Sequence, residues 1–371
     1  MIDSNPKILL VQLFSNGDCL YATTVARQIK KDYPNCILTW AVARFCKDII
    51  RLNPDVDEII IVDDVPKNDI KAFRRYRRRI LKEKKAGLWN EVFITMNMDR
   101  NQSLYDGTIR GMILKAYPNP ITIPIQPILI LSEEEKEKVK QYAIERNLFN
   151  FDHVILWEFA PLSGQSKIDF QLVWDLASRI VTNDRVCVIL TSGIAFKETI
   201  NIFDASKLTV RENAALTHYC TLLVGCSSGI TWISTSIAAK QLPMLQLLDP
   251  QVAFLNAPSV DFDRNKIKNI PLIELTTLNR EKIFDCMNNI ITYGFEKSIP
   301  QFNMALPIQF KTTRKVVYNL LCYLQLGSVL RHFNITVKHY GLNKLFIKEF
   351  LLAIILFPIN LLKNTIRKLF F

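Results

Sequence analysis

Three short stretches of this chain carry side chains able to do chemistry. The first is Ser15-Asn16-Gly17-Asp18. It follows an apolar run, residues 7–14 (KILLVQLF), that reads as a buried parallel strand. Ligands of a parallel sheet lie outside the carboxyl ends of its strands. Asp18 falls at such an end, where a carboxylate can take the proton of an attacking hydroxyl. Gly17 allows close backbone approach to a ligand, with Asn16 beside it. The competing assignment is structural, because aspartate commonly caps the helix it precedes. The second stretch is Gly225-Cys226-Ser227-Ser228-Gly229-Ile230-Thr231-Trp232. Small hydroxylated residues and free amides at a helix start suit a pyrophosphate. The pattern is neither a P-loop nor G-x-G-x-x-G, and a plain serine N-cap is the alternative. The third is Ser163-Gly164-Gln165-Ser166-Lys167, whose lysine can neutralise a leaving phosphate. Two D-x-D strings, Asp55-Val56-Asp57 and Asp261-Phe262-Asp263, are read as ordinary acids and not as a metal–diphosphate site.

The elements that must position these residues alternate regularly. A helix is expected from Cys19 to Tyr33, with Ala22, Val25, Ala26 and Ile29 on one face. Strands are expected at 36–43, 58–62 and 91–96, with helices at 45–52 and over the basic stretch near 70–85. Ser132 to Glu135 fits a capping box opening a charged helix to 147. The alternation restarts with strands at 153–160, 186–191, 221–226 and 244–248. Helices are expected at 170–180, 212–220, 229–239 and 279–293. This predicts an α/β fold of two doubly wound, Rossmann-like units. The expected boundaries are 1–148, 149–297 and a helical extension over 298–371. Within that extension, 345–371 is apolar, basic and interrupted by Pro358. Its apolar core is too short for a span, so it suits a membrane interface.

Composition narrows the class. The chain has 371 residues, 49% hydrophobic, with a net charge of +12. Such a chain is globular. Its eight cysteines form no C-x-x-C pair, which points to a reducing compartment without disulfides or structural zinc. No secretory leader is read at the N-terminus, since residues 8–10 are too short for one. The charge is concentrated in 67–85, which holds ten basic and two acidic residues, and in 331–371, with seven and one. Arg74, Arg75, Arg77 and Arg78 could form a solvated helix face, a nucleic-acid patch, or a face towards an anionic acceptor or membrane. No nucleic-acid recognition module accompanies them, and the apolar basic tail favours the membrane.

The stretch KILLVQLFSNGDCLYATTVARQIKKDYPNCILTWAV resembles the opening of glycosyltransferase family 9, which includes the lipopolysaccharide heptosyltransferases. Asn53-Pro54-Asp55-Val56-Asp57-Glu58 and LVGCSSGITWISTSIAAKQLP are also similar to that family. The resemblance covers about 7–290. It implies a GT-B architecture and inverting, metal-independent sugar transfer from a nucleotide donor, such as ADP-heptose, to a cell-envelope glycan. No cofactor and no nucleic-acid partner are implied. Asp18 is similar to the family's proposed base. Lys167, Ser227, Ser228, Gly229 and Thr231 match donor positions, and Glu198 an acid near the donor ribose. Asn16 and Gly17 would face the acceptor. Ser227 replaces an acid and Trp232 a histidine, a form closer to a branch with protein O-heptosyltransferases. A protein O-glycosyltransferase, a GT-B epimerase and a non-catalytic GT-B partner subunit are the other implied functions. The expected location is the cytoplasmic face of the inner membrane, held by the arginine helix and the tail.

Overall fold

The computed structural model describes residues 5–159, 166–251, 257–268 and 270–370, and for 360–370 the backbone alone. The first strands are β1 (Lys7–Val11), β2 (Ile37–Val42), β3 (Glu58–Ile61) and β4 (Glu91–Ile94). They form a parallel sheet in the order β3-β2-β1-β4. Its helices are α1 (Asn16–Asp32), α2 (Lys47–Ile50), α3 (Ile70–Lys85) and α4 (Ile109–Lys115). Next come α5 (Glu133–Glu145), β5 (His153–Glu158), α6 (Phe170–Ile180), β6 (Val186–Thr191) and β7 (Ile202–Asp204). They are followed by α7 (Glu212–Leu216), β8 (Leu222–Gly225), α8 (Gly229–Ile233), β9 (Met244–Leu247), α9 (Pro258–Asn265), β10 (Leu272–Leu275) and α10 (Arg280–Tyr293). The second sheet, also parallel, has the order β10-β9-β8-β5-β6-β7.

Each sheet reverses direction of growth once. In the first, β1, β2 and β3 extend one way and β4 the other. In the second the reversal lies between β5 and β8. A doubly wound sheet opens a crevice at this point, at the carboxyl ends of the two central strands. The central strands are buried on both faces, which is why β6 and β8 are nearly continuous apolar runs. The capping box at Ser132 and Glu135 forms as expected.

Several helix bounds differ from the sequence expectation, each for a local reason. Helix α1 starts at Asn16 and not at Cys19, because Ser15 takes φ 70° and turns the chain into the helix early. Helix α8 has five residues where eleven were expected. Ser234 and Thr235 donate their hydroxyls to the carbonyls of Ile230 (2.8 Å) and Trp232 (2.7 Å), local bonding that competes with helix propagation. Helix α7 tightens into a 3-10 turn at Thr217, whose hydroxyl bonds the carbonyl of Ala214 at 2.6 Å.

The extension folds as α11 (Phe295–Phe302), α12 (Lys311–Cys322), α13 (Leu326–Tyr340) and α14 (Lys344–Phe370). The expected break at Pro358 is absent, and α14 runs through it. Its first half is packed: Phe346 and Ala353 are buried, and the rings of Phe333, Phe346 and Phe350 pack tilted or edge-on against one another. The tail is therefore anchored on the protein, while Leu351, Ile354, Ile355 and Ile359 stay exposed. Among the described residues no helix is long and apolar enough to cross a membrane. The extension is tied down at buried Asp106: Tyr340 donates its hydroxyl to the Asp106 carbonyl at 2.7 Å, and Lys115, which pairs with the Asp106 carboxylate, lies 3.4 Å from His339.

Candidate active site

The first cluster sits at the β1/β4 switch point. After β1 the chain is fixed by Gln12, which is fully buried. Its amide nitrogen donates to Phe14 O (3.1 Å), and its amide oxygen accepts from the Thr95 hydroxyl (2.9 Å). Asp18 lies in the first turn of α1 and does not cap it, since no side chain caps that end. Its carboxylate accepts a bond from Asn97 Nδ2 at 3.4 Å, and Asn97 follows β4. Burial pushes its pKa up to about 6, against the pull of Arg110 and Lys67. At neutral pH such a group is ionised and more basic than an ordinary carboxylate. Beside it, Asn16 Oδ1 is buried without a hydrogen-bond partner among the described residues. A methyl placed on Gly17 would meet nothing within 4 Å, so the surface there is open.

The second cluster sits at the β5/β8 switch point. Glu158, the last residue of β5, is 3% exposed. It accepts bonds from the Ser228 hydroxyl, from Ile230 N–H (3.2 Å) and from the Thr231 hydroxyl (3.2 Å). Burial raises its pKa, and these donors oppose the rise. The serine loop is thus built as an anion cradle, but a protein carboxylate occupies its donors. The helix-end phosphate site read from the sequence is revised accordingly. A five-residue helix contributes little dipole, and the polar contacts run to Glu158.

Gln246 shapes the loop from β9. Its Oε1 accepts from Ser227 N–H (2.8 Å) and from the Thr231 hydroxyl (3.2 Å). Ser227 holds φ 55°, and its carbonyl accepts from the Trp232 indole at 3.3 Å. Gly225 is required here, because a Cβ would lie 2.5 Å from Thr231 Oγ1 and 2.7 Å from Gln246 Nε2. Gly225→Ala should therefore cost about 1–3 kcal/mol by overpacking. Gly17→Ala, in a helical turn facing open space, should be neutral or stabilising by up to about 1 kcal/mol. Urea unfolding of the two variants beside wild type measures the contrast.

Arg110 joins the clusters. It reaches from α4 to Asp261 on α9 (3.4 Å) and lies over the Trp232 ring at 3.1 Å. It is also close enough to Asp18 to lower that group's pKa. Tyr21 of α1 donates to Asp261 at 3.0 Å and packs edge-on against Trp232 with centroids 5.3 Å apart. Trp232, where the resembled family has histidine, is thus the platform on which the two sheets' layers meet. On another part of the seam, Arg211 is buried against Glu135 (2.6 Å) and the carbonyls of Asp48 (3.0 Å) and Arg51 (3.2 Å).

The remaining candidates divide. Lys167 lies at the same sheet edge as the serine loop and pairs with Asp249 at 3.4 Å, just beyond β9. Ser163, Gly164 and Gln165 of its loop lie outside the described residues. Gly229 is half-buried with open space beside it. Glu198 is not brought to this edge cluster. It accepts two bonds from Arg146 (2.9 and 2.8 Å) and one from Asp204 N–H (2.9 Å). Asp55 and Asp57 pair with Arg27 (3.0 Å) and Lys30 (2.5 Å), as ordinary surface acids do. Asp261 is buried in the Arg110 contact, which the D-x-D string did not suggest. Arg74 and Arg77 turn inward to Asp99 and so do not form an outward face, whereas Arg75 and Arg78 are exposed. Sequence reasoning missed Glu158, although an acid inside the apolar run HVILWEFA was the available signal. It missed Arg110 as well, which no local pattern marks.

No protein-family model and no curated protein matches the chain. Solved structures do. A glycosyl transferase family 9 structure from Veillonella parvula DSM 2008 matches with a TM-score of 0.52 at 15% identity, over 87% of this chain and 99% of that one. ADP-heptose lps heptosyltransferase II of E. coli matches at 0.49 and 16%, over 77% and 98%. A putative UDP-N-acetylglucosamine 2-epimerase from Listeria monocytogenes matches at 0.49 and 10%, over 87% and 97%. The fold is that of GT-B proteins, as the resemblance in sequence implies.

Proposed function

We propose that the chain is a GT-B glycosyltransferase that moves a sugar from a nucleotide-diphosphate donor to a cell-envelope glycan. The observation that carries this is the pairing of two switch-point clusters through Arg110: a carboxylate with a pKa of about 6 on one side and a loop of hydroxyl and amide donors on the other. In the reaction, the acceptor hydroxyl attacks the anomeric carbon as Asp18 takes its proton. The bond to the donor's phosphate oxygen breaks, and the nucleoside diphosphate leaves with the electron pair. The anomeric centre inverts, because attack and departure occur on opposite faces. Asn16 and Gly17 face the acceptor. Lys167 faces the diphosphate, and the Ser228 and Thr231 hydroxyls join it as Glu158, which otherwise accepts from them, gives way; this supplies charge stabilisation without a metal. The donor proposed first is ADP-heptose, from the family resemblance. The location proposed is the cytoplasmic face of the inner membrane. The direct experiment is an assay of nucleoside diphosphate release from a panel of nucleotide sugars with envelope glycolipid as acceptor.

The cradle has one consequence for donor binding. A diphosphate approaching Ser228 and Thr231 meets the Glu158 carboxylate. Two like charges about 4 Å apart repel by about 4 kcal/mol at an effective dielectric constant of 20. Wild-type affinity should fall as pH rises through the raised pKa of Glu158. Glu158→Gln should bind nucleoside diphosphates at least about tenfold more tightly wherever Glu158 is ionised in the wild type, with a flatter pH dependence. Titration calorimetry across pH tests this. Binding by the variant alone would favour a second reading, a GT-B partner subunit whose donor site is closed by its own glutamate.

A further inference from the structure

We propose that the cleft between α3 and the turn joining α12 to α13 binds the phosphate headgroup of an anionic lipid. This deepens the membrane location proposed above and rests on it. The cleft measures about 760 Å³ and is lined by Arg74, Arg77, Arg78, Arg100 and Arg331, with Asp99 as its one acid. Asp99 is already spent. It accepts Arg74 Nε (2.9 Å) and Nη2 (2.5 Å), Arg77 Nη1 (3.1 Å) and Gln325 Nε2 (2.6 Å). Burial works against its ionisation, but Arg74, Gln325 and Arg77 hold its pKa below the usual carboxylate range. It therefore stays charged and fixes the floor of the cleft, with Arg74 also laid over the Tyr323 ring at 3.6 Å.

Three guanidinium groups remain. Arg78, Arg100 and Arg331 have no carboxylate partner among the described residues, and Arg78 gives only one bond, to the Arg74 carbonyl (3.3 Å). They come from three separate segments of chain, so no run of basic sequence explains their meeting. Arginine forks bind phosphate oxygens two at a time, and several forks around one cleft suit a dianionic or diester phosphate. The rim argues for a lipid as the bearer of that phosphate. Leu81, Leu324 and Leu326 are 38%, 81% and 67% exposed around it. Phe350 and Ala353 of α14 pack with Leu320, Leu321 and Val329 beside the cleft. The exposed row Leu351, Ile354, Ile355 and Ile359 starts from that contact. A basic cleft beside an exposed apolar helix face is the arrangement that reads a headgroup while acyl chains meet the helix.

The test is co-sedimentation of the full chain with phosphatidylcholine vesicles, with and without phosphatidic acid. The expected result is binding only with phosphatidic acid, and competition by a short-chain soluble phosphatidate. The triple variant Arg78→Gln, Arg100→Gln, Arg331→Gln should bind on the order of a hundredfold more weakly, at about fivefold per basic residue. The control triple Arg75→Gln, Lys82→Gln, Lys85→Gln removes as much exposed charge from α3 outside the cleft and should lose far less. Equal loss in the two triples would overturn the headgroup site while leaving membrane association standing. No binding to either vesicle would overturn both. Displacement from the vesicles by duplex DNA, with no effect of soluble phosphatidate, would also overturn the site and assign the arginines to nucleic acid. The nucleotide-binding measurements above do not involve this cleft, so the donor-site reading stands or falls separately.

Discussion

Asp18→Asn should abolish nearly all of the proposed sugar transfer, by about 10²–10⁴-fold, while the protein remains folded and becomes more stable at neutral pH. The two halves of this expectation have one cause. Burial raises the Asp18 pKa to about 6, above the ordinary value of about 3.9 in an unfolded chain. The folded protein therefore binds the Asp18 proton more tightly than the unfolded one does. Between about pH 4 and pH 6 the native state holds a proton that the unfolded state has lost, so stability falls as pH rises through that window. At pH 7 the full cost is present, on the order of 3 kcal/mol. Asparagine carries no charge and removes the cost, but it cannot accept the acceptor's proton. Wild-type turnover should accordingly rise through pH 6 and level off above it. Urea midpoints and initial rates on the same preparations measure both halves. A variant with near-wild-type turnover would remove Asp18 from the role of base.

Arg110→Ala should be the most destabilising single change at the site, at about 3–5 kcal/mol, because it leaves a buried carboxylate without its cation. Asp261 is 1% exposed and would keep only Tyr21 and Asn265 as donors. The guanidinium's contact with the Trp232 ring is lost as well. A double variant with Asp261→Asn should recover part of the loss, since the two residues interact directly. The same substitution removes the charge that holds Asp18 down, so the rising limb of the rate profile should move to higher pH. Additive losses in the double-mutant cycle, or an unmoved pH profile, would show that Arg110 does not couple the clusters.

The parts of this site that were legible in the sequence are those set by local pattern. Apolar runs of five to eight residues separated by amphipathic stretches gave the parallel sheets, and a Gly-Asp pair after the first run located Asp18. Ser132 with Glu135 announced α5 because a capping box is a contact between near neighbours. What was not legible depends on where distant segments meet. Glu158 and the serine loop are 70 residues apart and become neighbours only because β5 and β8 pair across the reversal of the second sheet. Arg110 acquires its meaning from Asp261, 151 residues away. The shortening of α8 was locally determined yet easily missed, since the apolar spacing of residues 229–239 continues past the hydroxyls that end the helix. The arginine run in α3 misled in a different way. Its spacing suggested one outward face, but Asp99 and the α12–α13 turn draw Arg74 and Arg77 inward.

The central claim is that a nucleotide sugar binds at the β5/β8 crevice, facing Asp18. Hydrogen–deuterium exchange with and without a panel of nucleotide sugars tests it most directly. Protection confined to residues 226–231 and 166–169, with a smaller effect near 16–18, is the expected result. Protection confined to 74–78 and 323–331, or none anywhere with any nucleotide sugar, would contradict it.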